Sequence, residues 1–197
     1  MTRSICSMLL LLALAAAESP VSQGAVLWDE SLNGDLSNSG LSPTSLSLST
    51  GSNRILGSTG DSGQGVDRDY FTFTLPVGST LSSITLLSNT LISGNFSFIG
   101  FQTGSQVTVQ PSGAGGQALL GWTHYANSDV GTDILPAITG GGPLASDTYA
   151  VWVQDTGGPA TYGFDLGVTT VPLPPAAILL LSGLLGSGLI RRRATSP

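Results

Sequence analysis

The sequence predicts an all-β body, folded as an antiparallel β-sandwich, between an N-terminal signal peptide and a single C-terminal transmembrane helix. Apolar and polar residues alternate with a period of two in several segments, as in strands that bury one face. Glycine-rich breaks separate these segments, and no part of the body shows the 3.6-residue apolar period of a helix. The body is expected at residues 25–170, a length that suits one domain.

Three segments of the body alternate most clearly. Their expected buried faces are Phe71, Phe73 and Leu75; Tyr149, Val151 and Val153; and Tyr162, Phe164, Leu166 and Val168. Weaker strands are expected at 46–48, 81–87, 96–101, 106–109 and 118–122, and the breaks lie at 57–65, 112–116 and 140–143. The alternation slips at Ile99-Gly100, which predicts a β-bulge there.

The charge composition excludes several classes of function. The chain of 197 residues has no lysine, so it has neither a P-loop lysine nor a lysine for Schiff-base chemistry. The isoelectric point is about 4.3 and the arginines lie mostly near the ends, which excludes a basic nucleic-acid-binding face. The body itself has eleven acidic residues and two arginines, a net charge of −9.

The first 24 residues have the order of a secretory signal peptide. Arg3 provides the positive charge, Met8–Ala17 the apolar stretch, and Ala15–Ala17 a small-residue cleavage site. Ser22–Gly24 is a second cleavage option. The single cysteine, Cys6, precedes the apolar stretch and is expected to leave with the signal, so we expect a mature chain without disulfides.

The C-terminal segment, 171–197, combines a proline motif, an apolar helix and a basic cluster. Residues 176–190 carry no charge and are expected to form the transmembrane helix. The basic cluster, Arg191, Arg192 and Arg193, is typical of a stop-transfer signal that remains in the cytoplasm. The proline motif just outside the membrane is Val171, Pro172, Leu173 and Pro174.

This three-part order resembles the PEP-CTERM sorting signal of Gram-negative bacteria, in a form with Leu173 where the name-giving motif has glutamate. The resemblance covers Val171–Arg193. It implies an exosortase as partner, which processes the tail near the proline motif after a transient stay in the inner membrane. It also implies a location at the cell surface or outside the cell, in association with exopolysaccharide or biofilm.

The body has a second resemblance, to the bacterial pre-peptidase C-terminal domain. The segments that carry it are Asp67–Phe73 and Leu75–Leu81, with a looser match at Asp147–Tyr149 and the aromatic residues after it. It implies a jelly-roll-like β-sandwich. Within the second segment, Gly78 suits a turn that requires positive φ.

Calcium is the one metal for which the sequence offers ligands. Asp29, Asn33 and Asp35 form half of a calcium loop, but a glycine occupies the position where an EF-hand has its bidentate glutamate. Asp67 and Asp69 project from one face of a strand, about 7 Å apart. The second resemblance implies that such aspartates and an N-terminal acidic segment hold calcium together. The alternative is a hydrated acidic turn that protects a strand edge.

The candidates for catalysis are few. Ser62 lies in a Gly-Asp-Ser-Gly sequence like that around a protease nucleophile, but the single histidine, His124, follows it in the chain rather than preceding it. A turn in a glycine-rich loop is the better interpretation of this segment. Aromatic residues that alternate with a period of two are expected in the core; the alternative for Trp152 and Tyr125 is a sugar-stacking platform.

The sequence therefore predicts an exported, non-enzymatic surface or matrix protein. The expected partners are an exosortase, extracellular polysaccharide and, before processing, the inner membrane; nucleic acid is not among them. No cofactor is expected other than calcium. A carbohydrate- or calcium-binding adhesin module is the first alternative, and a secreted hydrolase is the second.

Overall fold

The computed structural model describes residues 24–61, 63, 65–90, 96–110, 118–155 and 157–171. The expected signal peptide, apart from Gly24, and the expected tail, apart from Val171, lie outside these residues. Within the described ranges, no helix has both the length and the apolar character needed to cross a membrane.

The described chain is almost entirely β-structure, which confirms the all-β prediction. The strands are β1 (Ala25–Asp29), β2 (Thr44–Ser45), β3 (Gly51–Asp61), β4 (Val66–Thr74), β5 (Ser79–Asn89), β6 (Ser97–Thr103), β7 (Gly121–Tyr125), β8 (Thr148–Gln154) and β9 (Ala160–Thr170). Two short helices, α1 (Glu30–Asn33) and α2 (Leu135–Thr139), and a 3₁₀ turn at Asn127–Asp129 interrupt them.

The strands form one curled, mostly antiparallel sheet with the order β5-β9-β3-β4-β8-β6-β7. Its first half-sheet consists of β5, β9, β3 and β1, where β1 runs parallel to β3. Its second half-sheet consists of β4, β8, β6 and β7, with the short β2 parallel to β4. The two half-sheets join where the end of β3 pairs with the start of β4.

One hydrophobic core lies inside the curl and draws on both half-sheets. The three buried faces expected from the alternation all belong to it, because successive side chains of a strand point to opposite faces. Phe73 contacts Phe101 edge-on at 6.3 Å between ring centroids, and Tyr125 contacts Phe164 edge-on at 5.4 Å. The turn before β5 also matches its prediction, since Gly78 has a φ of 81°.

Several expected strand positions were wrong. The break expected at 57–65 is largely strand, because β3 continues through Gly60 to Asp61. Gly57 sits opposite Tyr162 of β9, and a Cβ on Gly57 would lie 2.5 Å from the Tyr162 hydroxyl oxygen. This glycine therefore makes room for the tyrosine ring and does not end the strand. The strand expected at 46–48 is instead the two-residue β2 at Thr44–Ser45.

The bulge expected at Ile99-Gly100 was also wrong. β6 pairs without a register shift with both β7 and β8. Ile99 belongs to the inner core, whereas Gly100 and Phe98 lie on the outer face of the second half-sheet. A Cβ on Gly100 would lie 2.9 Å from Cζ of Phe98, so the Phe98 ring covers the glycine.

A second, smaller core lies on this outer face. The expected strand at 106–109 is irregular, and its valines Val107 and Val109 pack instead with Leu119 over the second half-sheet. There they bury Tyr70 of β4 and Trp152 of β8, whose rings stack at 5.9 Å. Aromatic residues therefore occupy both faces of this half-sheet.

Gly121 should be required for the packing of α2 against β7. A Cβ on Gly121 would lie 1.7 Å from the Ile138 carbonyl oxygen, so Gly121→Ala must separate the helix from the strand. We expect a loss of about 1–3 kcal/mol in the free energy of unfolding, measured by urea denaturation. Gly142→Ala is the matched control, because nothing lies within 4 Å of the added Cβ. Equal stability of the two variants would contradict the observed packing.

Candidate metal centre

The turn after β1 places the first carboxylate of the site. Asp29 is the N-cap of α1: its backbone is extended, and its side chain accepts hydrogen bonds from Ser31 N at 3.0 Å and Ser31 Oγ at 2.6 Å. The Asn33 side-chain oxygen accepts a hydrogen bond from Asp29 N at 3.0 Å. These contacts fix a tight turn, and Glu30 is its first helical residue.

Glu30 connects this turn to the sheet. Its Oε1 accepts a hydrogen bond from Leu36 N at 3.1 Å. Its Oε2 accepts hydrogen bonds from Ser58 N at 2.7 Å and from Ser58 Oγ at 3.2 Å. The half-buried carboxylate is therefore held between residue 36 and strand β3.

Asp69 provides a carboxylate in the interior of the protein. It lies on β4 with 0% of its surface exposed. Its Oδ2 accepts a hydrogen bond from the Tyr162 hydroxyl of β9 at 2.7 Å, whereas its Oδ1 is buried and has no hydrogen-bond partner. Such an unpaired buried oxygen is costly, because desolvation is not offset by a hydrogen bond.

The carboxylates of Glu30, Asp35 and Asp69 converge. Each contributes an oxygen atom, and these three atoms lie within 4.8 Å of one another. Asp35 is exposed, Glu30 is half-buried and Asp69 is buried, so the group runs from solvent to the interior. Asp67 stands next to it, and its own Oδ1 is also buried without a hydrogen-bond partner. We call these four residues the acidic group.

The pKa values show the electrostatic cost of this arrangement. Burial, followed by the negative charge of Glu30, raises the pKa of Asp69 to about 9. Burial also raises the pKa of Glu30, and burial together with the charge of Asp67 raises the pKa of Asp35. Without a cation, Asp69 is therefore protonated at neutral pH.

The two arginines of the described chain have other partners. Arg68 Nε donates a hydrogen bond to the Gln154 side-chain oxygen at 2.7 Å. Arg54 Nε lies 4.0 Å from a carboxylate oxygen of Asp165. Neither arginine pairs with the acidic group, so no basic side chain of the described residues neutralises its negative charges.

The chemistry of the acidic group fits a hard divalent cation. All its donors are carboxylate oxygens, which Ca²⁺ and Mg²⁺ prefer, and they come from two regions of the chain, residues 30–35 and strand β4, rather than from one loop. Ca²⁺ tolerates irregular oxygen geometry better than Mg²⁺ does. Two open grooves reach the group, one of about 290 Å³ beside Glu30 and Tyr162 and one of about 430 Å³ beside Asp67.

The structure brings together only some of the calcium ligands expected from the sequence. Asp35 and Asp69 come together, and Asp67 lies beside them, but the Asp29 and Asn33 side chains accept hydrogen bonds inside their own turn. Glu30 was missed. Its position directly after Asp29, in the same acidic turn, was the sequence feature that could have indicated it. The hydrogen bond that fixes its carboxylate comes from Ser58 N, 28 residues away in sequence, and the sequence did not predict this contact.

The catalytic and sugar-stacking candidates lie elsewhere. His124 is exposed on β7 among aromatic rings, and Ser62 is outside the described residues. Trp152 and Tyr125 are 7% and 1% exposed, which agrees with the core interpretation of these aromatic residues and not with the alternative of a sugar platform. Tyr125 packs against Phe164 in the inner core, and Trp152 lies beneath Phe98.

Comparison with known proteins identified no relative. No protein-family model matches the chain, and neither a curated protein nor a solved structure is significantly similar to it. Interpretation of the acidic group therefore rests on its own geometry.

In the absence of a divalent cation, Asp69 should make the fold less stable as the pH rises. An acid whose pKa is about 9 in the folded state and about 4 in the unfolded state binds more protons when folded, so stability falls between these values by up to about 1.4 kcal/mol per pH unit. Asp69→Asn retains an acceptor for Tyr162 but cannot ionise, so we expect a flatter dependence. Urea denaturation in EDTA between pH 5 and pH 8 measures the slope.

The matched control is Asp61→Asn, which changes an exposed aspartate outside the acidic group. This variant should retain the slope of the unmodified protein. A slope that Asp69→Asn leaves unchanged would show that Asp69 does not carry this linkage.

Proposed function

We propose that this chain is an exported, non-enzymatic surface or matrix protein whose β-sheet body is stabilised by Ca²⁺ at the acidic group. The observation that carries the proposal is the buried Asp69 carboxylate, which has one unpaired oxygen and faces Glu30 and Asp35. Protons or a cation must neutralise these charges, and Ca²⁺ satisfies several oxygens at once.

Bound Ca²⁺ would connect parts of the fold that are distant in sequence. Glu30 belongs to the N-terminal turn, Asp35 to the loop after it, and Asp67 and Asp69 to β4. Asp69 is also joined by Tyr162 to β9 of the other half-sheet. Modules outside the cell bind Ca²⁺ with dissociation constants of about 10⁻⁴–10⁻³ M, so exposure to an external calcium pool is sufficient to load such a site.

The proposal includes a finer assignment of the fold, a jelly-roll-like β-sandwich similar to the pre-peptidase C-terminal domain. The support is that the inner faces of both half-sheets contribute to one core, as the layers of a sandwich do. The segment from Asp67 to Leu81, on which the resemblance rests, covers most of β4 and the start of β5, which follow each other in the chain with the turn at Gly78 between them.

The proposal includes no catalytic role. General-base chemistry at a nucleophile requires a histidine or a comparable base within hydrogen-bond reach. His124, the single histidine of the chain, contacts the rings of Phe96, Phe98 and Trp122 on the outer face. The aspartate with the most strongly raised pKa, Asp69, accepts a hydrogen bond from a buried tyrosine and lies beside carboxylates.

The C-terminal sorting role in this proposal rests on the sequence of residues 171–193, which resembles a PEP-CTERM signal. The position of residues 170 and 171 in the structure is consistent with this sorting role. β9 ends at Thr170, and Val171 N donates a hydrogen bond to the Gly78 carbonyl oxygen at 2.8 Å. The proline motif therefore follows directly after a strand that is fixed in the sheet.

Ca²⁺ should raise the melting temperature of the purified chain. With a dissociation constant of about 1 mM, 10 mM Ca²⁺ adds about 1.4 kcal/mol, which corresponds to a few degrees. Glu30→Gln should abolish the rise, because Glu30 is in the acidic group. Asp29→Asn should retain it, since asparagine also caps a helix. A melting temperature that neither Ca²⁺ nor EDTA changes would contradict the proposal.

Substitution of Pro172 and Pro174 by alanine should leave full-length protein in the inner membrane. Proline cannot continue a helix and biases the residue before it to extended conformations, so these prolines keep the motif accessible to a protease. Replacing the arginines at 191–193 by serine should weaken retention before processing. Intact-mass measurement of protein outside the cell is the readout, with Pro197→Ala as control. An extracellular species that still ends at residue 197 would refute the sorting role.

A further inference from the structure

Four rings, three exposed and one half-buried, form a continuous strip at one edge of the second half-sheet. We define this aromatic strip as Phe96, Phe98, Trp122 and His124. The ring centroids of Trp122 and His124 are 5.3 Å apart, and Phe98 lies 5.9 Å from Trp122 and 6.1 Å from His124. Phe96 extends the strip, 6.2 Å from His124. Phe96 is 64% exposed and Trp122 is 47% exposed, which is unusual for such large apolar side chains.

The sheet beneath the strip supports the ring of Phe98. Phe98 packs on Trp152 at 4.7 Å, and Trp152 stacks on Tyr70. Phe98 also covers Gly100, the residue between Trp152 and Trp122 in the paired strands. Because these contacts restrict the Phe98 ring, a ligand that stacks on this ring orders no further side chain there, which lowers the entropy cost of binding.

The two described cross-strand rows that pass through the strip contain polar groups but no carboxylate. One cross-strand row is Arg68, Gln154, Phe98 and His124. The next row is Tyr70, Trp152, Gly100 and Trp122. The imidazole, the amide and the guanidinium can form hydrogen bonds with hydroxyl groups. The absence of acids from both rows stands out in a body with eleven acidic residues.

We propose that the aromatic strip binds a neutral polysaccharide by stacking of its sugar rings. The C–H bonds on one face of a pyranose meet the negative face of an aromatic ring, and the sugar hydroxyls meet the polar groups beside it. The proposal rests on the extracellular location proposed above and adds a ligand class. It also moves the sugar-binding surface from Trp152 and Tyr125 to the exposed residues next to them.

Charge and area favour this occupant over others. The body has a net charge of −9, which disfavours acidic polymers and anionic lipid surfaces. Large aromatic side chains present about 150–250 Å² each, so partly exposed rings at four positions offer roughly 400 Å² or less. A stable protein interface needs about 800 Å² from each partner. A chain of a few sugar rings needs only the area that the strip provides.

Native affinity electrophoresis of the purified full chain tests the proposal. The gels contain hydroxyethyl cellulose, galactomannan or dextran as neutral probes, or alginate as the anionic probe. We expect at least one neutral glycan to retard the protein and alginate to have no effect. Trp122→Ala should weaken the retardation about tenfold, since about 1.4 kcal/mol of stacking energy corresponds to a tenfold change in affinity.

Three further variants and one control make the result specific. Phe96→Ala tests the strip independently if Trp122→Ala does not fold, and Trp122→Phe should retain part of the binding. Val77→Ala is the matched control, because Val77 is an apolar residue 98% exposed in the turn before β5. Asp69→Asn should leave glycan binding intact, so failure of the calcium proposal and failure of this one are distinguishable.

Three results would overturn the inference. The first is that no neutral glycan retards the protein. The second is that Trp122→Ala and Phe96→Ala both bind as the unmodified chain does. The third is a dimer that Trp122→Ala converts to a monomer in light scattering, because the strip would then be an interface between two copies of this chain.

Discussion

The passage of β3 from one half-sheet to the other is the constraint on which the rest of the structure depends. β3 pairs with β9 up to Thr59 and then with β4 at Gly60 and Asp61. Gly60 has a φ of 124°, and a Cβ there would lie 2.5 Å from the Gly158 carbonyl oxygen. Only glycine permits this close crossing, and the crossing brings the two half-sheets around a common core.

The same crossing explains why the Asp69 carboxylate is buried, although the body of the protein has only two basic side chains. Asp69 follows the start of β4, so it points into the junction between the half-sheets, where Tyr162 of β9 donates a hydrogen bond to it. Burial also raises the pKa of Tyr162, which keeps its hydroxyl protonated as a donor. Glu30 closes the junction from the N-terminal side through Ser58 of β3. The acidic group is therefore part of the junction between the half-sheets and is not a surface cluster of carboxylates.

Sequence patterns predicted the strands whose position follows from an alternation of apolar and polar side chains. The alternating strands β4, β8 and β9 were correct because each buries a regular apolar face. β1 and β3 were missed since their pairing depends on the backbone, and Gly57 accommodates a tyrosine from another strand. In the site, Asp67 and Asp69 were recognisable by their spacing. Glu30 was not, because the crossing that brings β3 to it involves residues far apart in sequence.

Strand β4 also relates the acidic group to the aromatic strip. Asp69 points inward, whereas its neighbours Arg68 and Tyr70 lie on the outer face, where Tyr70 stacks on Trp152 and Trp152 supports Phe98. The acidic group thus shares β4 with residues beneath the strip, and among the described residues no hydrogen bond or ring contact joins the two surfaces directly. They are linked indirectly, through the pairing of β4 with β8 and through the core contacts of Tyr162 with Phe164 and of Phe164 with Tyr125. Energies of substitutions at sites without shared partners usually add. If both proposals hold, cation binding at the acidic group and polysaccharide binding at the aromatic strip are therefore expected to be nearly independent, because the two sites share no residue.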